Sequence, residues 1–235
     1  MTDEARLAFR PRRGTQRAEP GDVALGLSVA RDGLLYVPDT AEPGAPVMVL
    51  LHGAGGSGRR ELRAVVAAAD RYGVVIVAPD SRGATWDVIV AGGFGDDPPF
   101  IDRALDAAAD RCDADFGHLA AAGISDGASY ALSLGLSNGD LFEAVLAFSP
   151  GFLSPGTLIG RPRVFVSHGT EDTVLPIDVC SRRIVPALRT AGYEVAFREF
   201  EGGHTVPPSV ADDGVGWWVK GPAEGDAGES VRSRD

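Results

Sequence analysis

Short apolar runs without a polar break, each followed by a stretch of helical spacing, constrain this chain more than any other feature. Residues 47–51 (Val-Met-Val-Leu-Leu), 74–78 (Val-Val-Ile-Val-Ala) and 144–148 (Ala-Val-Leu-Ala-Phe) hold no polar side chain. A strand with one face in water alternates polar and apolar residues, whereas an unbroken apolar run needs cover on both faces, as in a parallel sheet. Further strands are expected at 34–37, 119–124, 164–166 and 194–200. Helical spacing occupies 59–72, 101–112, 127–136, 179–191 and 209–219. Strand and helix in alternation imply right-handed crossovers and an α/β fold with a doubly wound, mostly parallel sheet.

The 235 residues show no internal repeat, and 1–235 reads as one domain without an insertion long enough to build a lid. Arg6, Arg10, Arg12, Arg13 and Arg17 make residues 1–20 locally basic. A solvated arm or first edge strand is expected there, with a targeting or RNA-binding arm as the alternative. Residues 221–235 are Gly-rich, acidic and polar, which predicts a disordered tail. The net charge of −11 argues against nucleic acid and anionic membrane as partners, because binding phosphates requires a basic surface. Residues 1–20 lack the apolar core of a secretory signal, and no run approaches the roughly 18 apolar residues of a membrane helix. A cytoplasmic setting is therefore expected. Cys112 and Cys180 have no metal-ligand spacing and read as buried free thiols, with a disulfide as the alternative.

Gly-x-Ser-x-Gly occurs twice, at 123–127 and at 135–139. The pattern carries chemistry only where a strand turns sharply into a helix, lifting the serine hydroxyl above the sheet. Ser125 follows the apolar run 119–122 and precedes a helical stretch. Ser137 lies at the end of that same helix, where Gly and Asn serve as capping residues. Ser125 is therefore the candidate nucleophile.

A serine needs a base, a group to orient the base, and donors for the developing oxyanion. The run 49–51 leads into His52-Gly53-Ala54-Gly55-Gly56, where glycines allow close backbone approach, and Ala54 N–H is the expected donor; the second is Asp126 N–H. This loop lacks the Gly-Lys-Ser/Thr ending of a phosphate-binding loop. The strand at 164–166 leads to Asp172, which fits the orienting role best, with Glu171 and Asp178 as alternatives. Of four histidines, His52 belongs to the oxyanion loop, His118 precedes a strand on the wrong side of the nucleophile, and His168 lies too close behind its strand. His204, in a Gly-Gly-His loop between a strand and the last helix, is the candidate base. Trp86, Phe152 and Leu175 follow strand ends and are candidates to wall a substrate pocket.

With these motifs in view, the chain resembles the small, lidless α/β-hydrolases of the phospholipase/carboxylesterase group. It is also similar to polyhydroxybutyrate-depolymerase-like and dienelactone-hydrolase-like esterases. The similarity spans about 34–218 and rests on the turn at 50–56, Ala78-Pro79-Asp80-Ser81-Arg82-Gly83 with Trp86, and Phe100-Ile101. Gly123–Gly127, Phe148-Ser149-Pro150-Gly151, His168–Asp172 with Leu175-Pro176, and Gly203-His204 complete it. The resemblance implies a serine esterase acting on short-chain or aryl esters through Ser125, Asp172 and His204. It also implies an aromatic, Trp86, beside the nucleophile, and neither metal nor organic cofactor. The expected partner is a small-molecule ester, on a monomer or homodimer. Thioesters, lysophospholipids or polyesters are alternative substrates, and a non-catalytic binding or sensor module is the alternative of another class. Two departures stand out. Dienelactone hydrolases use cysteine where this chain has Ser125, and Asp126 replaces the larger neutral residue such esterases often carry. The Asp126 carboxylate either caps the following helix or faces the pocket, where it disfavours anionic acyl groups.

Overall fold

The computed structural model describes residues 4–14, 16 and 18–221, so the tail expected at 221–235 falls, apart from Gly221, outside the described residues. The strands are β1 (Gly21–Ala24), β2 (Gly33–Val37), β3 (Ala45–Leu51), β4 (Val75–Pro79), β5 (Ala114–Ile124), β6 (Ala144–Phe148), β7 (Arg163–Gly169) and β8 (Val195–Phe200). The helices are α1 (Gly58–Tyr72), α2 (Asp87–Ala91), α3 (Asp97–Ala109), α4 (Asp126–Ser137), α5 (Ser181–Thr190) and α6 (Pro208–Lys220). All strands join one sheet in the order β1-β2-β4-β3-β5-β6-β7-β8. The β1–β2 and β2–β4 pairs are antiparallel, and every other pair is parallel.

The unbroken apolar runs have a direct physical cause. Val47, Val49 and Leu51 join Val75 and Val77 in one layer, against Ile101 and Leu105 of α3 and Tyr130 and Leu134 of α4. The intervening Met48, Leu50, Ile76 and Ala78 face the opposite layer, against Leu62, Val65 and Ala69 of α1 and Val215 and Trp218 of α6. Successive side chains point to opposite faces, so cover on both sides requires every position to be apolar. Fully burying one Val or Leu contributes about 1.5–3 kcal/mol.

From the middle of the sheet the chain runs one way from β3 to β4 and the other way from β5 to β8. The loops leaving β3 and β5 therefore diverge, α1 going to one face and α4 to the other. Crevices at such switch points, beyond the carboxyl ends of the strands, are where open α/β sheets hold ligands.

Three elements depart from expectation. All four residues of β1 are exposed, so no burial pattern marks the strand. Helix α2 is too short for periodicity to show. Strand β5 starts at Ala114, and its register against β3 shifts between Pro46 and Val47; Asp115, Gly117 and His118 in that irregular stretch hide it from a hydrophobic pattern.

Among its described residues the basic arm forms no strand, and it is only partly solvated: Arg10, Arg12 and Arg13 are exposed while alternate residues turn inward. Ala5, Leu7 and Phe9 are buried, and carboxylates hold the backbone around them. Asp102 of α3 accepts the amides of Ala8 (2.8 Å) and Phe9 (2.9 Å). Asn138, after α4, accepts from Leu7 N–H (2.9 Å) and donates to the Ala5 carbonyl (2.8 Å). Arg6 pairs with both oxygens of Asp140, each at 2.8 Å. Arg12 likewise pairs with Asp106 and Asp110 of the α3 end, at 3.3 and 2.9 Å, so two of the arm's arginines meet acids of the chain itself. The second Gly-x-Ser-x-Gly copy thus ends a helix and anchors the arm.

Candidate active site

Ser125 occupies the tight turn between β5 and α4 at φ 58°, ψ −119°, a region costing a non-glycine residue on the order of 1–3 kcal/mol. The flanking glycines permit that turn. A Cβ on Gly123 would lie 2.1 Å from the Gly127 carbonyl oxygen, and one on Gly127 would lie 2.0 Å from that of Leu51. The chain after Ser125 therefore presses against the end of β3, which sets the serine beside the loop that follows β3.

The structure brings the three distant candidates together. Ser125 Oγ lies 2.9 Å from His204 Nε2, and His204 Nδ1 lies 2.6 Å from Asp172 Oδ2. Because a carboxylate only accepts, His204 Nδ1 carries the proton and Nε2 is left to accept from the serine hydroxyl. A close backbone crossing supports this geometry. A Cβ on Gly169, the last residue of β7, would stand 2.4 Å from the carbonyl oxygens of both Gly202 and Gly203. The bare glycine lets the loop after β8 cross β7 and deliver His204. The Asp172 side chain is fully buried, whereas that of His204 is 21% exposed, so the relay opens to solvent at its reactive end.

Four donors surround the Asp172 carboxylate. Oδ1 accepts the amides of Val174 (2.9 Å) and Leu175 (2.8 Å), while Oδ2 faces His204 Nδ1 and, at 3.2 Å, His168 Nε2. Burial works to raise this carboxyl's pKa, but the hydrogen bonds from His204, Leu175 and Val174 and the adjacent imidazole charge outweigh it, leaving the pKa below its ordinary value. Glu171 is exposed, and Asp178 is exposed and paired with Arg182 at 2.7 Å. Neither alternative orients the histidine.

The position of His168 in the chain argues against a role as base, and no sequence pattern marks its contact with the acid. Nε2 donates to the Leu175 carbonyl at 2.8 Å, and Nδ1 accepts from Ser181 Oγ at 2.6 Å. Burial, the largest effect, lowers its pKa, and the Leu175 bond and Asp172 only partly oppose that. His168 is thus a neutral imidazole with its Nε2 proton aimed at Leu175 and Asp172.

The loop after β3 leaves the amide of Ala54 free, and the turn after β5 leaves that of Asp126. Gly53 N–H donates to Glu61 Oε2 (2.9 Å), Gly55 N–H to Ala84 O (2.9 Å) and Gly56 N–H to Gly53 O (3.0 Å). Among the described residues no acceptor takes the amides of Ala54 or Asp126. His52 fastens the loop: Nδ1 donates to Gly53 O (2.7 Å), and Nε2 accepts from Ser81 N–H (3.0 Å) and from Arg31 Nη2 (3.1 Å). Burial, with the Arg31 charge adding to it, keeps His52 neutral. No sequence pattern pointed to Arg31 or Glu61, which come from elsewhere along the chain.

Of the expected pocket residues, Trp86 needs correction. Its indole is 0% exposed, stacked on Tyr130 at 4.9 Å, with Nε1 donating to the His52 carbonyl at 2.8 Å. It supports the loop after β3 and offers no surface to a ligand. Phe152 is 38% exposed, and Leu175 is half-buried beside Gly151. The segment carrying Phe152 is strapped to α4 by a serine ladder. Ser129 Oγ accepts from Gly151 N–H (2.9 Å), Ser133 Oγ from Ser154 N–H (2.8 Å) and Ser137 Oγ from Gly156 N–H (2.9 Å). Cys112 and Cys180 are free and buried. Among the described residues no group of three His, Cys, Asp or Glu side chains is arranged to hold a metal, and no helix is long and apolar enough to cross a membrane.

Strand order, crossovers and the serine turn together define the α/β-hydrolase fold. Comparison with solved structures agrees. The chain is similar to esterase PE8 (22% identity over 82% of this chain and 99% of that one, TM-score 0.65). It is similar to the carboxylesterase of Bacillus cereus (19% identity, 82% and 95% covered, TM-score 0.64). It also matches an S-formylglutathione hydrolase of Staphylococcus aureus (13% identity, 88% and 99% covered, TM-score 0.70). No protein-family model matches the chain, and no curated protein sequence does.

Proposed function

We propose that the chain is a serine esterase that hydrolyses carboxylic esters through an acyl-enzyme. The observation that carries this reading is the continuous relay from Ser125 Oγ through His204 to the buried Asp172 carboxylate, at 2.9 and 2.6 Å. In this reading His204 Nε2 takes the hydroxyl proton as Ser125 Oγ bonds to the ester carbonyl carbon. The carbonyl π electrons move to oxygen, where the amides of Ala54 and Asp126 hold the charge. Asp172 keeps the imidazole in the productive tautomer and stabilises its cation. The tetrahedral intermediate collapses, its C–O bond to the alcohol breaks, and His204 protonates the departing oxygen. Water then attacks the acyl-enzyme with His204 again as base, and Ser125 is released with the acid.

Short-chain or aryl esters suit the site, because the serine ladder holds the segment after β6 against α4 rather than leaving it free to fold over Ser125. The neighbours' description as esterases and hydrolases fits the same chemistry. Buried free thiols at Cys112 and Cys180 fit a reducing, cytoplasmic setting.

The test is hydrolysis of p-nitrophenyl butyrate by the wild type and Ser125→Ala, with fluorophosphonate labelling alongside. The proposal expects turnover and labelling in the wild type and neither in Ser125→Ala. Turnover unchanged by the substitution overturns it. An unlabelled, inactive wild type points instead to a binding module.

A further inference from the structure

We propose that Asp126 makes the site selective for esters whose acyl chain carries a positive charge, and unfavourable to anionic acyl groups; this rests on Ser125 being the nucleophile.

Asp126 follows Ser125 directly and is partly open to solvent. Its Oδ2 accepts from Thr85 Oγ1 at 2.7 Å. Thr85 is only 8% exposed and adjoins Ala84, whose carbonyl takes the Gly55 amide at 2.9 Å. The carboxylate is therefore pinned beside the oxyanion loop, on the β4 side of the nucleophile. Among the described residues no Arg, Lys or His lies within ion-pair distance of it. Its place in the first turn of α4 makes the charge tolerable there through the helix dipole, but leaves it unneutralised toward a ligand.

Topology assigns the two halves of the ester. His204 follows β8 and must protonate the departing oxygen, so the alcohol faces the β6–β8 side, where Phe152 and Leu175 stand. The acyl chain then runs toward β4, past Asp126 and Thr85. A fixed negative charge there opposes another negative charge on the acyl chain and favours a positive one. The chain-wide charge of −11 acts in the same direction on encounter.

The test compares p-nitrophenyl hexanoate, p-nitrophenyl 6-trimethylammoniohexanoate and mono-p-nitrophenyl adipate as neutral, cationic and anionic acyl donors. The expected order of kcat/KM is cationic, neutral, anionic. The cationic-to-anionic ratio should fall on the order of tenfold in Asp126→Asn, and also in wild type as salt rises toward ~1 M. The ratio is taken within each protein, so a general loss of activity cancels, and Asp126→Ser is the second variant if Asp126→Asn does not fold. A ratio that the substitution leaves unchanged overturns the proposal, whatever salt does to it, while neutral-ester turnover leaves the esterase reading standing. No turnover of any of the three overturns both.

Discussion

His168 Nε2 stands 3.2 Å from Asp172 Oδ2, the same carboxylate oxygen that accepts from His204 Nδ1 at 2.6 Å. One buried acid is thus shared by two imidazoles, one facing Ser125 and the other held by Ser181 and Leu175. Part of the acid's charge is directed at a ring that is fully buried.

His168 is therefore a positioning residue whose removal changes titration as well as rate. In His168→Leu, Asp172 loses a donor and attracts the His204 cation more strongly. The acid limb of kcat/KM should move to higher pH and kcat should fall on the order of tenfold, with His168→Gln, which keeps a donor, largely restoring both. A lower rate with an unmoved limb would show a purely structural role.

Asp172→Asn should lower kcat on the order of 10³- to 10⁴-fold with the fold intact. The Asn carbonyl can still accept the amides of Val174 and Leu175, but its NH2 then faces two imidazole donors. His204 must take the other tautomer, whose Nε2 proton blocks acceptance from Ser125. Circular dichroism beside ester turnover checks both halves of the expectation.

Gly169→Ala should damage the site because its Cβ would overlap the carbonyls of Gly202 and Gly203 at 2.4 Å. Displacing that crossing moves His204, so kcat should fall sharply, with about 1–3 kcal/mol lost in urea unfolding. Gly93→Ala, with nothing within 4 Å of its Cβ, is the control and should leave turnover unchanged.

Stability should fall as pH drops below the ordinary histidine value of 6.5, because burial lowers the pKa of both His52 and His168. The unfolded chain takes up protons on these rings before the native one does, so their contribution is complete above that value and is lost as pH falls toward their native pKa values. Buried Asp97 and half-buried Glu61 and Asp102, raised chiefly by desolvation, act with the opposite sign from the carboxylate range upward. The difference between wild type and His168→Gln isolates the histidine part: the variant should lose less stability between pH 7 and 5 in urea titrations.

Asp102→Ala should cost about 1 kcal/mol by removing the acceptor of the Phe9 amide, at a buried residue, and of the exposed Ala8 amide, with kcat for a neutral ester unchanged. An equal loss of turnover would tie the arm to the site.

The apolar runs at 47–51, 74–78 and 144–148 were enough to place the central strands, because a doubly covered strand cannot hide its composition. The serine turn was equally plain: a Gly-x-Ser-x-Gly after a strand leaves few alternatives, and the end-of-helix position disqualified Ser137. Trp86 was misjudged because burial beneath a loop and exposure beside it look alike in a linear pattern. The fate of the arm was hidden for a related reason, since its arginines and amides meet Asp102, Asn138 and Asp140, more than ninety residues away.

The sequence by itself determined which residue types stood at which strand ends, because local backbone demands and burial are written position by position. Only the tertiary structure decided that Asp172 faces two histidines, that Arg31 and Glu61 brace the loop after β3, and that Thr85 holds Asp126 beside Ser125. Those are distances between loops of different strands, set by how the sheet orders its edges, and no local pattern encodes them.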